Sequence, residues 1–136
     1  MTCVVVDTNI LFSILLRKRS RLRDVLFSST STRFYCCRFT IVELFKHKSK
    51  LMKYSAFSEE DLLVTFQDVL KRLIFHDELS MSPASIQTAF ELCHDVDEKD
   101  TPFVALAIEL DAVLWSGDKE LREGLIKKGF DRFLII

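Results

Sequence analysis

The sequence predicts an α/β fold: one three-layer α/β/α domain built on a central, mostly parallel sheet. Three observations carry that expectation. The runs CVVVD (3–7) and AVLWSGD (112–118) are short, rich in β-branched or apolar residues, and each ends in an acid, as buried parallel strands do. Helical stretches separate the strands, and that alternation implies a sheet covered on both faces. The 136 residues are 49% apolar with only three glycines, enough for one core and too apolar for disorder.

The elements follow in order. After CVVVD, the segments NILFSILLR (9–17) and SRLRDVLFS (20–28) read as helices. FYCCRF (34–39) reads as the second strand, with adjacent Cys36 and Cys37 on opposite faces. TIVELFKHKSKLMK (40–53) reads as one helix. Ser58, Glu59, Glu60 and Asp61 form a capping box before a helix whose stripe is Leu62, Leu63, Phe66, Val69, Leu70 and Leu73. IFHDEL (74–79) contains a short strand, and Ser82-Pro83 opens a helix carrying Ile86, Ala89, Phe90 and Cys93. A further helix reaches about Leu110 before AVLWSGD. Lys119 to Lys128 is a helix stopped by Gly129, and FLII closes the chain as a strand. Residues 1–136 thus read as a single domain without repeats or linkers.

Nineteen basic and 20 acidic residues leave a formal charge of −1, so a nucleic-acid partner would need a local basic patch. The four cysteines lack a CxxC pair and read as buried thiols of a reducing compartment. The longest apolar run, Ile10 to Leu16, is too short for a bilayer, and Asp7 interrupts any signal-peptide pattern. A cytoplasmic protein without membrane association is expected.

Four acids crowd the six residues DVDEKD (95–100), an arrangement that calls for solvation or a cation. Asp7 and Asp118 end strands, Glu43 lies in the first turn after the second strand, and Asp100 opens the helix before AVLWSGD. Open α/β sheets build sites at the carboxyl ends of their strands, so all four acids face one crevice if the strand order is the usual one. Oxygen donors without thiolates suit Mg²⁺ or Mn²⁺. Helix capping explains each acid singly: Asp7, Asp100 and Asp118 as N-caps, and Glu43 reaching back to Thr40 in a capping box. Four acidic caps taken together, two at strand ends, favour a site. With three glycines and no phosphate-cradling loop, a nucleotide-driven enzyme is not indicated.

VVVDTNILFSILL resembles the opening of PIN-domain ribonucleases, and KDTPFVALAIELDAVLWSGDKEL resembles that family's second half. TIVELFKHK matches the family's Glu-bearing helix more loosely. The resemblance spans essentially the whole chain. It implies that Asp7, Glu43, Asp100 and Asp118 bind one or two Mg²⁺ or Mn²⁺ ions and activate water for hydrolysis of RNA. Asn9 and Ser116 would orient carboxylates or hold a water. Asp97 would be an accessory ligand or a solvated loop acid, while Asp95 and Glu98 are loop acids. It also implies the toxin half of a toxin–antitoxin pair, with a small antitoxin protein as partner. The alternative within the family is a catalytically silent RNA- or protein-binding module.

Two basic runs remain, RKRSRLR (17–23) and FKHKSKLMK (45–53), each a solvated face or a path for a phosphate backbone. His47 follows Glu43 by four residues and shares its helical face. The apolar excess in Ile10–Leu16 and Leu62–Phe75 leaves a homodimer or partner surface open beside the simpler reading of core.

Overall fold

A computed structural model describes residues 2–136. Val4, Val5 and Val6 are all buried, so the strand that carries them must be covered on both faces. That strand, β1 (Thr2–Val6), lies inside a four-stranded parallel sheet with β2 (Thr32–Cys37), β3 (Leu73–His76) and β4 (Val113–Trp115), in the order β3-β2-β1-β4. The chain leaves β1 toward β2 on one side and arrives at β4 on the other. Loops therefore diverge at the carboxyl ends of β1 and β4, where open sheets leave a crevice.

Two hydrophobic clusters cover the sheet. One joins Val4, Val6 and Cys36 to α1 (Thr8–Leu16), α2 (Arg21–Ser28), α3 (Phe39–Lys46), α4 (Lys48–Tyr54) and α5 (Glu59–Lys71). The other joins Val5, Cys37 and Leu114 to α6 (Pro83–Cys93), α7 (Thr101–Glu109) and α8 (Lys119–Lys127). Cys36 and Cys37 thus point to opposite faces, and burial pushes both thiols up, the second to about 12. All four cysteines are free, though Cys3 is only partly buried, because it sits near the amino edge of the sheet.

Several expected elements differ. The helix expected over 40–53 is two helices bent at His47, which has φ −99° and ψ 15°. The bend keeps the second half against α1: Ser55 Oγ donates to the Leu15 carbonyl (2.7 Å) and the Ala56 amide to that of Leu16 (2.9 Å). FLII makes only an isolated bridge, Phe133 with Leu114, held by the Leu114 amide on the Arg132 carbonyl and the Leu134 amide on the Leu114 carbonyl (2.9 Å each). In α5, Leu62 and Val69 are buried while Leu63 is exposed; in α6 only Ala89 and Cys93 of the expected four reach the core. Ile10, Leu11, Ile14 and Leu15 are wholly buried, so the first apolar run is core. The second leaves Leu63, Val64, Ile74 and Phe75 exposed.

Gly124 fixes how closely α8 approaches the acidic loop. A Cβ there would lie 2.9 and 3.0 Å from the two γ carbons of Val96. Replacing a helical glycine by alanine ordinarily gains about 1 kcal/mol. Here the overlap opposes that gain by about 1–3 kcal/mol. Urea unfolding should show no gain for Gly124→Ala, and the gain should return when Val96→Ala is added. A full gain in the single variant would contradict the close approach.

Candidate metal centre

Asp7 stands one residue past β1, where its amide still donates to the Trp115 carbonyl (3.0 Å), and it is 3% exposed. Its carboxylate accepts from Ser116 Oγ (2.9 Å) and, less directly, from the Asn9 amide (3.4 Å). Ser116 is buried and accepts in turn from the Asp118 amide (3.1 Å), so one hydroxyl ties the two strand ends together. The Asn9 side chain is exposed at the edge of this arrangement.

Glu43 does not form the capping box its sequence suggested. Helix α3 starts at Phe39 without a side-chain cap from its own strand, and its first amides, those of Arg38 and Phe39, donate instead to Glu78 (2.6 and 3.0 Å). Glu43 is free to accept from Thr8 Oγ1 at 2.6 Å, which holds it beside Asp7.

Asp100 occupies the N-cap position of α7 but makes no capping hydrogen bond. It is 8% exposed, and its carboxylate faces those of Asp97 and Asp118, all three offering oxygens within 4.8 Å of one another. Two unit charges at that separation repel by roughly 3–4 kcal/mol at an effective dielectric constant of 20. A helix cap contributes only about 1 kcal/mol. Capping therefore does not account for this burial.

Asp118 does both jobs, accepting from the Leu121 amide (3.1 Å) as the cap of α8 while facing Asp100. Asp97 accepts from the Lys99 amide (3.1 Å), and the short turn Glu98–Asp100 swings its carboxylate into the group. Asp95 turns the other way and pairs with Lys128.

Electrostatics draw the five acids into one unit. Burial first, then the charges of Asp7, Asp97, Asp118 and Glu43, push the Asp100 carboxyl up to about 8. Asp7 is also raised, by burial above all, against the lowering effect of its Ser116 hydrogen bond. Buried hard oxygens with unbalanced negative charge are the donor set a divalent ion such as Mg²⁺ or Mn²⁺ takes. The residues present fit such an ion, with Asp97, Asp100 and Asp118 as the compact set and Asp7 and Glu43 beside it.

A family model for the PIN domain matches residues 5–135. The chain belongs to the PIN-domain family. Among solved structures it is similar to a chain in the crystal structure of VapBC2 from Rickettsia felis bound to a DNA fragment from their promoter. That similarity has a TM-score of 0.64 at 17% identity, covering 90% of this chain and 92% of the other. No curated protein matches the sequence. In this PIN domain the loosely matched Glu43 is thus held beside Asp7.

Sequence reasoning missed two participants. Thr8 directly follows Asp7, but its grip on Glu43 depends on α1 lying against α3, which no spacing encodes. Arg122, whose guanidinium donates to the Ser116 carbonyl (2.9 Å), stands four residues after Asp118 on α8, a spacing that does place it at the site.

The raised Asp100 pKa has a definite sign. The folded protein holds this proton more tightly than the unfolded chain, whose Asp stays near 3.8. Its contribution is therefore fully present below about pH 4 and is lost as pH rises through about 8. In EDTA, Asp100→Asn should match wild type near pH 4. By pH 9 it should be more stable by about 1 kcal/mol or more, or about 3–5 °C in Tm. A variant less stable than wild type at pH 9 would return Asp100 to a capping role.

Proposed function

We propose that this PIN domain is a metal-dependent endoribonuclease and the toxin component of a toxin–antitoxin pair. One observation supports this most: a buried aspartate at a helix start that caps nothing and faces two further carboxylates. When bound by Asp97, Asp100 and Asp118, Mg²⁺ or Mn²⁺ would supply neutralisation of the phosphoryl charge and a water acidic enough to attack phosphorus.

The chain's own residues complete the chemistry. Ser116 and Thr8 fix Asp7 and Glu43 by hydrogen bonds to one oxygen each. Glu43 keeps its other oxygen available to orient water or receive its proton at the edge of the site, while the second oxygen of Asp7 accepts only the long bond from the Asn9 amide (3.4 Å). The buried position of Asp7 and Asp100 limits competing solvent. No serine or cysteine nucleophile is required, and three of the four thiols lie buried.

The toxin assignment draws on the likeness to the VapBC2 structure and on a surface that suits a protein partner. Ile41, Phe45 and Met52 on α3 and α4, with Leu63 on α5, are exposed around one apolar groove. Such a strip marks an interface with an antitoxin or a second copy. Light scattering on the wild type and on Phe45→Glu separates them: a dimer that the variant breaks assigns the strip to a second copy, and a monomer leaves it to an antitoxin. No helix is long and apolar enough to cross a membrane among the described residues.

The test is cleavage of a labelled single-stranded RNA with Mn²⁺, with Mg²⁺ and with EDTA, each beside Asp100→Asn. Wild type should cut only with metal, and the variant should be slower by more than roughly 100-fold. Equal cutting by both proteins would assign the activity to something other than this site.

A further inference from the structure

Part of each basic run that the acidic centre leaves unexplained, Lys50 of one and Arg17–Arg19 of the other, borders a single seam beginning at that centre. Helices α1 and α3–α4 start together at the carboxyl edge of the sheet, joined there by Thr8 and Glu43. They stay side by side to their far ends, joined there by Ser55 with Leu15 and Ala56 with Leu16. Nine residues of α1 span about 13 Å.

Between those two fastenings, one turn beyond Glu43, the ring of His47 meets the edge of Phe12 with centroids 6.1 Å apart. Lys50 follows on the same face of the bent helix, its Nζ 5.7 Å from the centre of the Phe12 ring. His47 and Lys50 are exposed and Phe12 is half-buried. Arg17, Lys18 and Arg19, all exposed, continue directly from the end of α1. Asn9 is exposed at the other end, one helical turn before Phe12.

An extended polyanion with bases is the ligand this order of groups fits. Cations spaced along a groove follow a phosphate backbone, and aromatic rings between them offer a base a stacking face. With a net charge of −1 the attraction has to be local, as the exposed cations along the seam allow. A folded duplex is too wide for a seam between two adjacent helices, whereas splayed single-stranded bases reach such rings.

We propose that the seam between α1 and α3–α4 is the path of single-stranded RNA away from the acidic centre, with the exposed His47 ring, braced by Phe12, as base platform and Lys50 and Arg17–Arg19 as phosphate contacts. This inference rests on the nuclease reading for its substrate. The bend at His47 acquires a purpose from it, since it keeps Lys50 against α1.

The experiment uses a fluorescein-labelled single-stranded oligoribonucleotide and three charge reversals: Lys50→Glu and Arg19→Glu on the seam, and Lys127→Glu on exposed α8 as a control of equal charge. Lys50→Glu and Arg19→Glu should each raise KM roughly tenfold with kcat and the Mn²⁺-induced rise in Tm unchanged. Each should also lower the slope of log affinity against log salt by about 0.7. Lys127→Glu should leave KM near wild type. His47→Ala should raise KM roughly tenfold without changing that slope.

Equal effects at all three reversed positions, or none at any, would end the proposal while leaving the nuclease reading intact. If wild type cuts no RNA with Mn²⁺, the nuclease reading fails on its own. Anisotropy of the same oligonucleotide in Ca²⁺ then decides the path: weakening in the seam variants alone upholds it, and uniform binding overturns it.

Discussion

Carboxylates that repel one another are buried together at the carboxyl edge of a parallel sheet, and the local structure answers to that constraint. Asp7 and Asp100 are removed from water at a cost that no helix cap or single hydroxyl offsets. What keeps them in place is the scaffold. Buried strands β1 and β4 place Asp7 and Asp118 at one switch point, Ser116 joins them, and Thr8 draws Glu43 in from α3. Glu78 takes over the capping of α3, which frees Glu43 from local duty. An energetic deficit held by a rigid frame is one that a divalent cation would offset.

How much of this was legible depended on the range of each interaction. Val4–Val6 and Val113–Trp115 announced themselves because a doubly covered strand must be apolar throughout, and the Ser58 and Ser82 caps because their bonds are three residues long. The parallel sheet with helices on both faces, and the PIN-domain assignment, follow from those local signals and the two end motifs. The break at His47 was not legible, since neither glycine nor proline marks it and the cause lies in packing against α1. The short pairing of FLII was equally hidden, because its β propensity is local while its partner, Leu114, lies 19 residues away.

The acids divide along the same line. Asp7 and Asp118 stand at strand ends, yet each alone reads as a helix cap, and in the structure each does cap the helix that follows it. Asp100 and Glu43 were ambiguous in sequence because the patterns for a cap and for a ligand are identical there. Only three-dimensional facts separate them: Asp100 receives no capping bond, and Glu43 is held by Thr8, 35 residues away. Asp97, read beside a solvated loop alternative, has its carboxylate with those of Asp100 and Asp118, while Asp95 two residues earlier pairs with Lys128. Within one run of acids, the turn Glu98–Asp100 decides which side chains converge.

The most direct measurement is an anomalous-scattering map of crystals saturated with Mn²⁺. An ion with Asp100 and Asp118 oxygens about 2.1 Å away, and Asp97 beside it, is the result this account requires. Saturated crystals with no peak among these acids, or with the ion held elsewhere, would show that the buried carboxylates serve some purpose other than binding a cation.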